Sequence, residues 1–113
     1  MALSRAKRVP SGRTFTGLQR GGKVLVGRVA TIRYQKNQST GIRLTIVISG
    51  RVVGSAVKRN RLRRQLSEWL HSRLTASTSA LDMIIHLRSG VINLSIEQIR
   101  KSLEEILKQA NIV

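Results

Sequence analysis

An α+β fold is predicted by three observations. Residues 23–34 and 42–49 are rich in β-branched residues and partly alternate, which is strand-like. Residues 57–74 and 96–110 repeat apolar side chains at three- and four-residue steps, which is helical. Residues 81–87 form a short, largely apolar run that fits a buried strand. The order α-β-β-β-α-β-α implies three helices layered on a small mixed sheet. The 113 residues suffice for one domain, 1–113, with residues 1–10 as a flexible basic arm.

Residues 11–20 read as a first helix, with Ser11 as its cap and Phe15 and Leu18 on one face. Gly21 and Gly22 end it. Residues 23–34 read as a strand, residues 35–41 as a polar turn, and residues 42–49 as a second or third strand. The two strand segments could form a hairpin. In the next helix Leu62, Leu66, Trp69, Leu70 and Leu74 define one apolar face, and Trp69 reads as core. Arg61, Arg64 and Glu68 project to the opposite side, where Arg64 and Glu68 could pair for about 0.3–0.5 kcal/mol. Residues 75–80 are a Ser/Thr loop. Ser95 and Gln98 have capping-box spacing at the head of the last helix, with Leu94 and Ile99 as a hydrophobic staple. Three of the five acids, Glu97, Glu104 and Glu105, sit on that helix, which should therefore face away from a polyanion.

Lys plus Arg number 21 and Asp plus Glu number 5, giving a formal net charge of +16. Such a chain repels itself unless a polyanion is near, and nucleic acid is the obvious one. An anionic membrane is the rival, weakened by the lack of a long apolar run or a basic amphipathic terminal helix. The absence of cysteine excludes disulfides, zinc knuckles and thiol catalysis. No secretory signal opens the chain, which reads as cytoplasmic. The only aromatics are Phe15, Tyr34 and Trp69, so binding should lean on charge, with one or two stacking contacts at most.

A protein nuclease would need clustered carboxylates for its metal ions. Glu68, Asp82, Glu97, Glu104 and Glu105 show no such spacing. His71 falls on the polar side of its helix and reads as solvated, while His86 reads as a strand histidine. No catalytic constellation emerges. The segment Gly54 to Arg64 is different. Lys58, Arg59, Arg61, Arg63 and Arg64 crowd a helix N-terminus, where the helix dipole disfavours cations. Their spacing without acids points to phosphate, and Asn60 adds a donor–acceptor group suited to a base edge or ribose.

Gly54, Ala56, Val57, Arg59, Asn60, Arg61, Arg63, Arg64 and Glu68 resemble, at fixed spacing, a box of the bacterial ribonuclease P protein family. The resemblance extends outward through Arg8-Val9, Phe15, Leu18 and Gly22, through Arg43, Ile48, Ser49 and Arg51, and through residues 82–88 to the closing helix. Ser67 stands where the box has its last arginine, Gly50 for a lysine, Thr45 and Ile46 for Gly-Phe, and Gln19 where a second aromatic is common. Tyr34 sits about one residue off the family's strand tyrosine.

The resemblance implies a protein cofactor of a ribozyme that removes the 5′ leader of precursor tRNA. It implies a two-layer α-β sandwich with an uncommon left-handed β-α-β crossover. Lys58, Arg59, Asn60, Arg61, Arg63 and Arg64 would contact the catalytic RNA, Lys58 on charge alone. Phe15 would stack on the leader, with Arg13, Arg43 and Arg51 nearby; the alternative for Phe15 is a core ring anchoring the first helix. Magnesium would be held mainly by the RNA, with none bound tightly by the protein. The partners would be ribonuclease P RNA and precursor tRNA, in a 1:1 complex without an obligate protein partner or a membrane. A small ribosomal protein, an independent nuclease and a DNA-binding regulator are the rivals.

Overall fold

The computed structural model describes residues 7–10, 12–38, 41–78 and 80–113. Its elements are α1 (Arg13–Gly21), β1 (Lys23–Val26), β2 (Ala30–Lys36), β3 (Ile42–Val47), α2 (Ala56–Thr75), β4 (Leu81–Leu87), a 3₁₀ turn (Ser89–Val91) and α3 (Ile96–Gln109). The predicted order holds.

The four-stranded sheet runs β1-β2-β4-β3. β2 pairs antiparallel with both β1 and β4, and β3 pairs parallel with β4. A parallel pair needs a long crossover, which α2 supplies. β4 is flanked by strands on both sides and packed on both faces, so it is buried almost without alternation, with Asp82 and His86 its only polar residues. Met83 and Ile85 join the main core with Leu66, Leu70 and Leu74 of α2 and Ile99, Leu103 and Leu107 of α3. Ile84, between them, faces the other way and meets Val9 and Leu18 of the α1 layer. Truncating one of the α2 or α3 leucines to alanine costs about 2–5 kcal/mol in such a core.

Two strand expectations are corrected. Residues 23–34 are two strands, because the chain turns at Gly27, whose N–H donates to the Ala30 carbonyl at 2.9 Å. A Cβ at Gly27 would meet the end of the Ile106 side chain of α3, so any larger residue in this turn would have to push that side chain aside. The second correction concerns the hairpin. The hairpin is β1–β2, and β4 lies between β2 and β3.

At the first helix, Ser11 lies outside the described residues; the N-cap position is Gly12, at φ 82 with no side-chain cap bond. Gly22 closes α1 as expected, its N–H donating to the Leu18 carbonyl. Residues 1–6 of the expected basic arm also lie outside the described residues. Val9, at the arm's end, is buried, and its N–H donates to Thr45 Oγ1 at 3.1 Å.

The capping box of α3 is present: Gln98 N–H donates to Ser95 Oγ at 3.2 Å and Ser95 N–H to Gln98 Oε1 at 2.8 Å. Leu94 and Ile99 both pack on the main core. Trp69 is only partly buried, at the core's edge, with the Arg100 guanidinium 5.7 Å from its ring centroid. His71 is not solvated. It is half-buried against β3, its Nε2 3.0 Å from the Ile42 carbonyl.

Candidate nucleic-acid interface

The basic box occupies the first turns of α2. Ser55 starts the helix, its Oγ accepting from the Lys58 N–H at 3.3 Å. The loop before it is folded by the Val52 and Val53 N–H groups, both donating to the Ser49 carbonyl. Arg59 Nη1 reaches back to the carbonyls of Val53 (2.8 Å) and Gly54 (3.0 Å). Arg63 Nη1 donates to Asn60 Oδ1 at 2.9 Å, which leaves the Asn60 amide donors outward.

The six expected RNA-contacting residues therefore divide. Arg59 and Arg63 are half-buried and brace the box, though each keeps further guanidinium donors. Lys58, Asn60, Arg61 and Arg64 are exposed. The side chains of Lys58, Arg61 and Arg64 make no hydrogen bond or ion pair among the described residues. No acid stands in the first turn of α2. On the far helix, Glu104 is taken by Arg73 at 2.6 Å. That hydrogen bond holds the Glu104 carboxyl below its ordinary range, against a smaller opposing effect of desolvation.

The second surface is the face of the sheet that carries α1. Phe15 is half-buried, packed against the cluster of Val9, Leu18 and Ile84 with Val47 beside it. Arg13 and Arg43 come together around one groove, along with Lys36 and Asn37. Arg43 is already engaged. Its Nε donates to Asp82 Oδ1 at 2.7 Å and its Nη2 to Oδ2 at 2.6 Å. Asn37 Nδ2 donates to the same Oδ1 at 2.8 Å. The Asp82 hydrogen bond raises the Arg43 pKa further above its ordinary value, outweighing desolvation. Arg51 lies apart, exposed in the turn that leads from β3 to the basic box. Tyr34 faces the main core, away from α1.

Residues that the sequence did not single out for binding also lie on this face. His86 Nε2 is 3.1 Å from Gln19 Oε1, joining β4 to α1. Arg33 on β2 is partly buried, and its Nε has no partner among the described residues. Val24 pairs with Arg33 across the strands, Val26 with Thr31, and both valines are exposed. Strand alternation puts 31, 33, 84 and 86 on one face once the register is known.

Burial first, and the Arg33 charge second, push the His86 pKa below its ordinary value of 6.5. The unfolded chain then binds that proton more readily than the folded one. Stability therefore rises with pH across the window between the folded value and 6.5, and is lost as pH falls through it. His86→Gln should flatten this part of a urea-melt profile taken from about pH 7.5 to 5. An unchanged slope in that variant would assign the dependence to another group. Glu104 acts separately: its depressed pKa contributes stability that is lost only below 4.5.

Among the described residues, no group of three or more His, Asp or Glu side chains could hold a metal ion. Asp82, the acid of the α1 face, has both oxygens occupied by Arg43 and Asn37. These donors do not fit a resident magnesium ion. Among the described residues, no helix is long and apolar enough to cross a membrane.

Comparison with known proteins adds the family context. A family model described as Ribonuclease P matches residues 3–111. The chain is 32% identical to the ribonuclease P protein component of Synechococcus elongatus, over 100% of this chain and 97% of that protein. It is 29% identical to the Streptococcus agalactiae protein of the same description, over 98% and 100%. Its structure is similar to that of the Staphylococcus aureus RNase P protein, with TM-score 0.83, 27% identity and 96% and 98% of the two chains covered. The Thermotoga maritima RNase P protein shares the fold, with TM-score 0.77 at 24% identity over 90% and 96%.

Proposed function

This chain belongs to the ribonuclease P protein family, and on that premise we propose how its two basic surfaces divide the work. It is the protein subunit of ribonuclease P, an endoribonuclease of tRNA 5′ processing, and it associates with ribonuclease P RNA. The start of α2 binds that RNA. Lys58, Asn60, Arg61 and Arg64 make the outward contacts, while Arg59 and Arg63 hold the box in shape and offer their remaining donors. The α1 face of the sheet takes the single-stranded leader of precursor tRNA, through Arg13, Phe15 and the outer edge of Arg43. Arg51 sits at the turn between the two surfaces and serves the box side. The complex is 1:1 and cytoplasmic. Its catalytic magnesium ions are held mainly by RNA, a reading supported by the lack, among the described residues, of any group of His, Asp or Glu that could hold one.

The observation that carries this reading is the set of exposed cations at the start of α2, Lys58, Arg61 and Arg64, which make no ion pair among the described residues and have no acid in the helix's first turn. The test is reconstitution. Purified protein, a bacterial ribonuclease P RNA and a 5′-extended precursor tRNA are mixed at low millimolar magnesium. Leader removal should be faster with protein and RNA together than with RNA alone, and absent with protein alone. Cleavage by protein alone would make the chain a nuclease in its own right. No stimulation would return it to a general RNA binder.

Phe15 has a sharper test. Phe15→Leu keeps an apolar side chain against Val9, Leu18 and Ile84 but removes the ring. Precursor-tRNA affinity should fall roughly fivefold or more, within the range for one lost base–aromatic stack, with mature tRNA unaffected. Unchanged precursor binding would leave Phe15 as a packing residue only.

A further inference from the structure

A groove of about 480 Å³ separates the start of α2 from the segment joining β4 to α3. Its floor is Val52, Val53, Leu62 and Leu94, each anchored on the main core. Ile92 forms part of its wall and stays 50% exposed. Lys58 and Arg61 stand on its rim, three residues apart on one side of α2. No acid lines it.

We infer that this groove receives one unstacked nucleotide of the ribonuclease P RNA, its base on the apolar floor and its phosphate between Lys58 and Arg61. The inference rests on the proposed RNA-binding role of α2. Charge decides the class of partner: two unpaired cations and no acid select an anion. The floor decides its form. Duplex RNA presents phosphates and 2′-hydroxyls and would leave Ile92 in water, whereas an unstacked base has an apolar face to lay against it. The volume lies within the roughly 300–1,000 Å³ typical of small-molecule sites. Core packing fixes the floor before binding, so little ordering is needed to seat the base.

The test removes apolar surface without touching charge. Ile92→Ser should weaken binding to ribonuclease P RNA by roughly fivefold, from the lost apolar area, and leave the salt slope unchanged. Base-specific chemical probing of that RNA should show one nucleotide protected by the wild-type protein and reactive in the Ile92→Ser complex. Ile92→Trp, which fills the groove, should lose the same protection, and melting temperatures of both variants verify the fold. Wild-type affinity and protection in both variants would overturn the inference while leaving the RNA-binding role standing, provided the wild-type protein still binds and stimulates leader removal. A protection that moves to the precursor tRNA, or competition by an acidic peptide with no RNA footprint, would overturn it as well. Failure of the wild-type protein to bind the RNA at all would remove both readings together.

Discussion

Replacing Arg61 and Arg64 together with alanine should weaken binding to ribonuclease P RNA by roughly thirtyfold at 0.15 M salt and about two-hundredfold at 0.05 M. Both side chains are exposed and make no hydrogen bond or ion pair among the described residues, so their loss disturbs no contact seen within the protein. Each cation that meets a phosphate releases about 0.9 of a counterion, so the log–log salt slope should fall by roughly 1.8. The melting temperature should hold or rise slightly, because two charges leave a chain at +16. The paired control is Arg59→Ala with Arg63→Ala. It removes the same formal charge but also unties the Val53 and Gly54 carbonyls and Asn60. That variant should lose stability as well, by about 0.5–1.5 kcal/mol for each hydrogen bond removed. Filter binding across a salt series, with thermal melts alongside, separates the two. An unchanged slope for Arg61 and Arg64 would take the RNA off this side of α2.

That division between bracing and outward cations was only half visible in the sequence. The box itself was legible because it is contiguous: one helix carries it, and a 100° projection places its members. The same holds for α3, where the Ser95–Gln98 spacing marks the start and the apolar stripe marks the buried face. What projection misses is what lies beside a helix. His71 projects to the polar side of α2, yet α2 flanks the edge strand β3, whose outward carbonyls need donors, and His71 meets one of them.

The sheet shows the same limit on a larger scale. Residues 23–34 alternate on both sides of Gly27, so nothing in their hydrophobic pattern marks the turn; the structure does, through the Gly27 N–H bond to the Ala30 carbonyl and the close approach of Gly27 to Ile106, a contact that spans most of the chain. The apolar run of β4 announced burial on two faces but not its neighbours, and only pairing places it between β2 and β3. The pairings within the α1 face were unreadable for this reason. Gln19 and His86 are 67 residues apart, Arg43 and Asp82 are 39 apart, and both pairings depend on that strand order.

The Arg43–Asp82 pair gives the largest expected change in stability. Asp82 is 1% exposed and its carboxylate accepts from Arg43 twice and from Asn37 once. Asp82→Ala strands the guanidinium, whose side chain is 19% exposed, and removes one of the Asn37 hydrogen bonds. Breaking one partner of such a pair costs about 3–5 kcal/mol, a large share of the ~5–15 kcal/mol that holds a small domain together. Denaturant melts should show the loss. Asp82→Ala combined with Arg43→Met should recover much of it, because no buried charge is then left unpaired. Failure to recover would mean that the Asn37 bond, which also ties the 37–41 turn through the Gly41 carbonyl, carries the stability instead. The same variants bear on the leader surface. Asp82→Ala frees Arg43 beside Arg13, so a folded fraction that binds precursor tRNA more tightly would place the leader against Arg43. Equal affinity per folded molecule would make Arg43 a strut of the sheet and leave Arg13 and Phe15 to hold the leader.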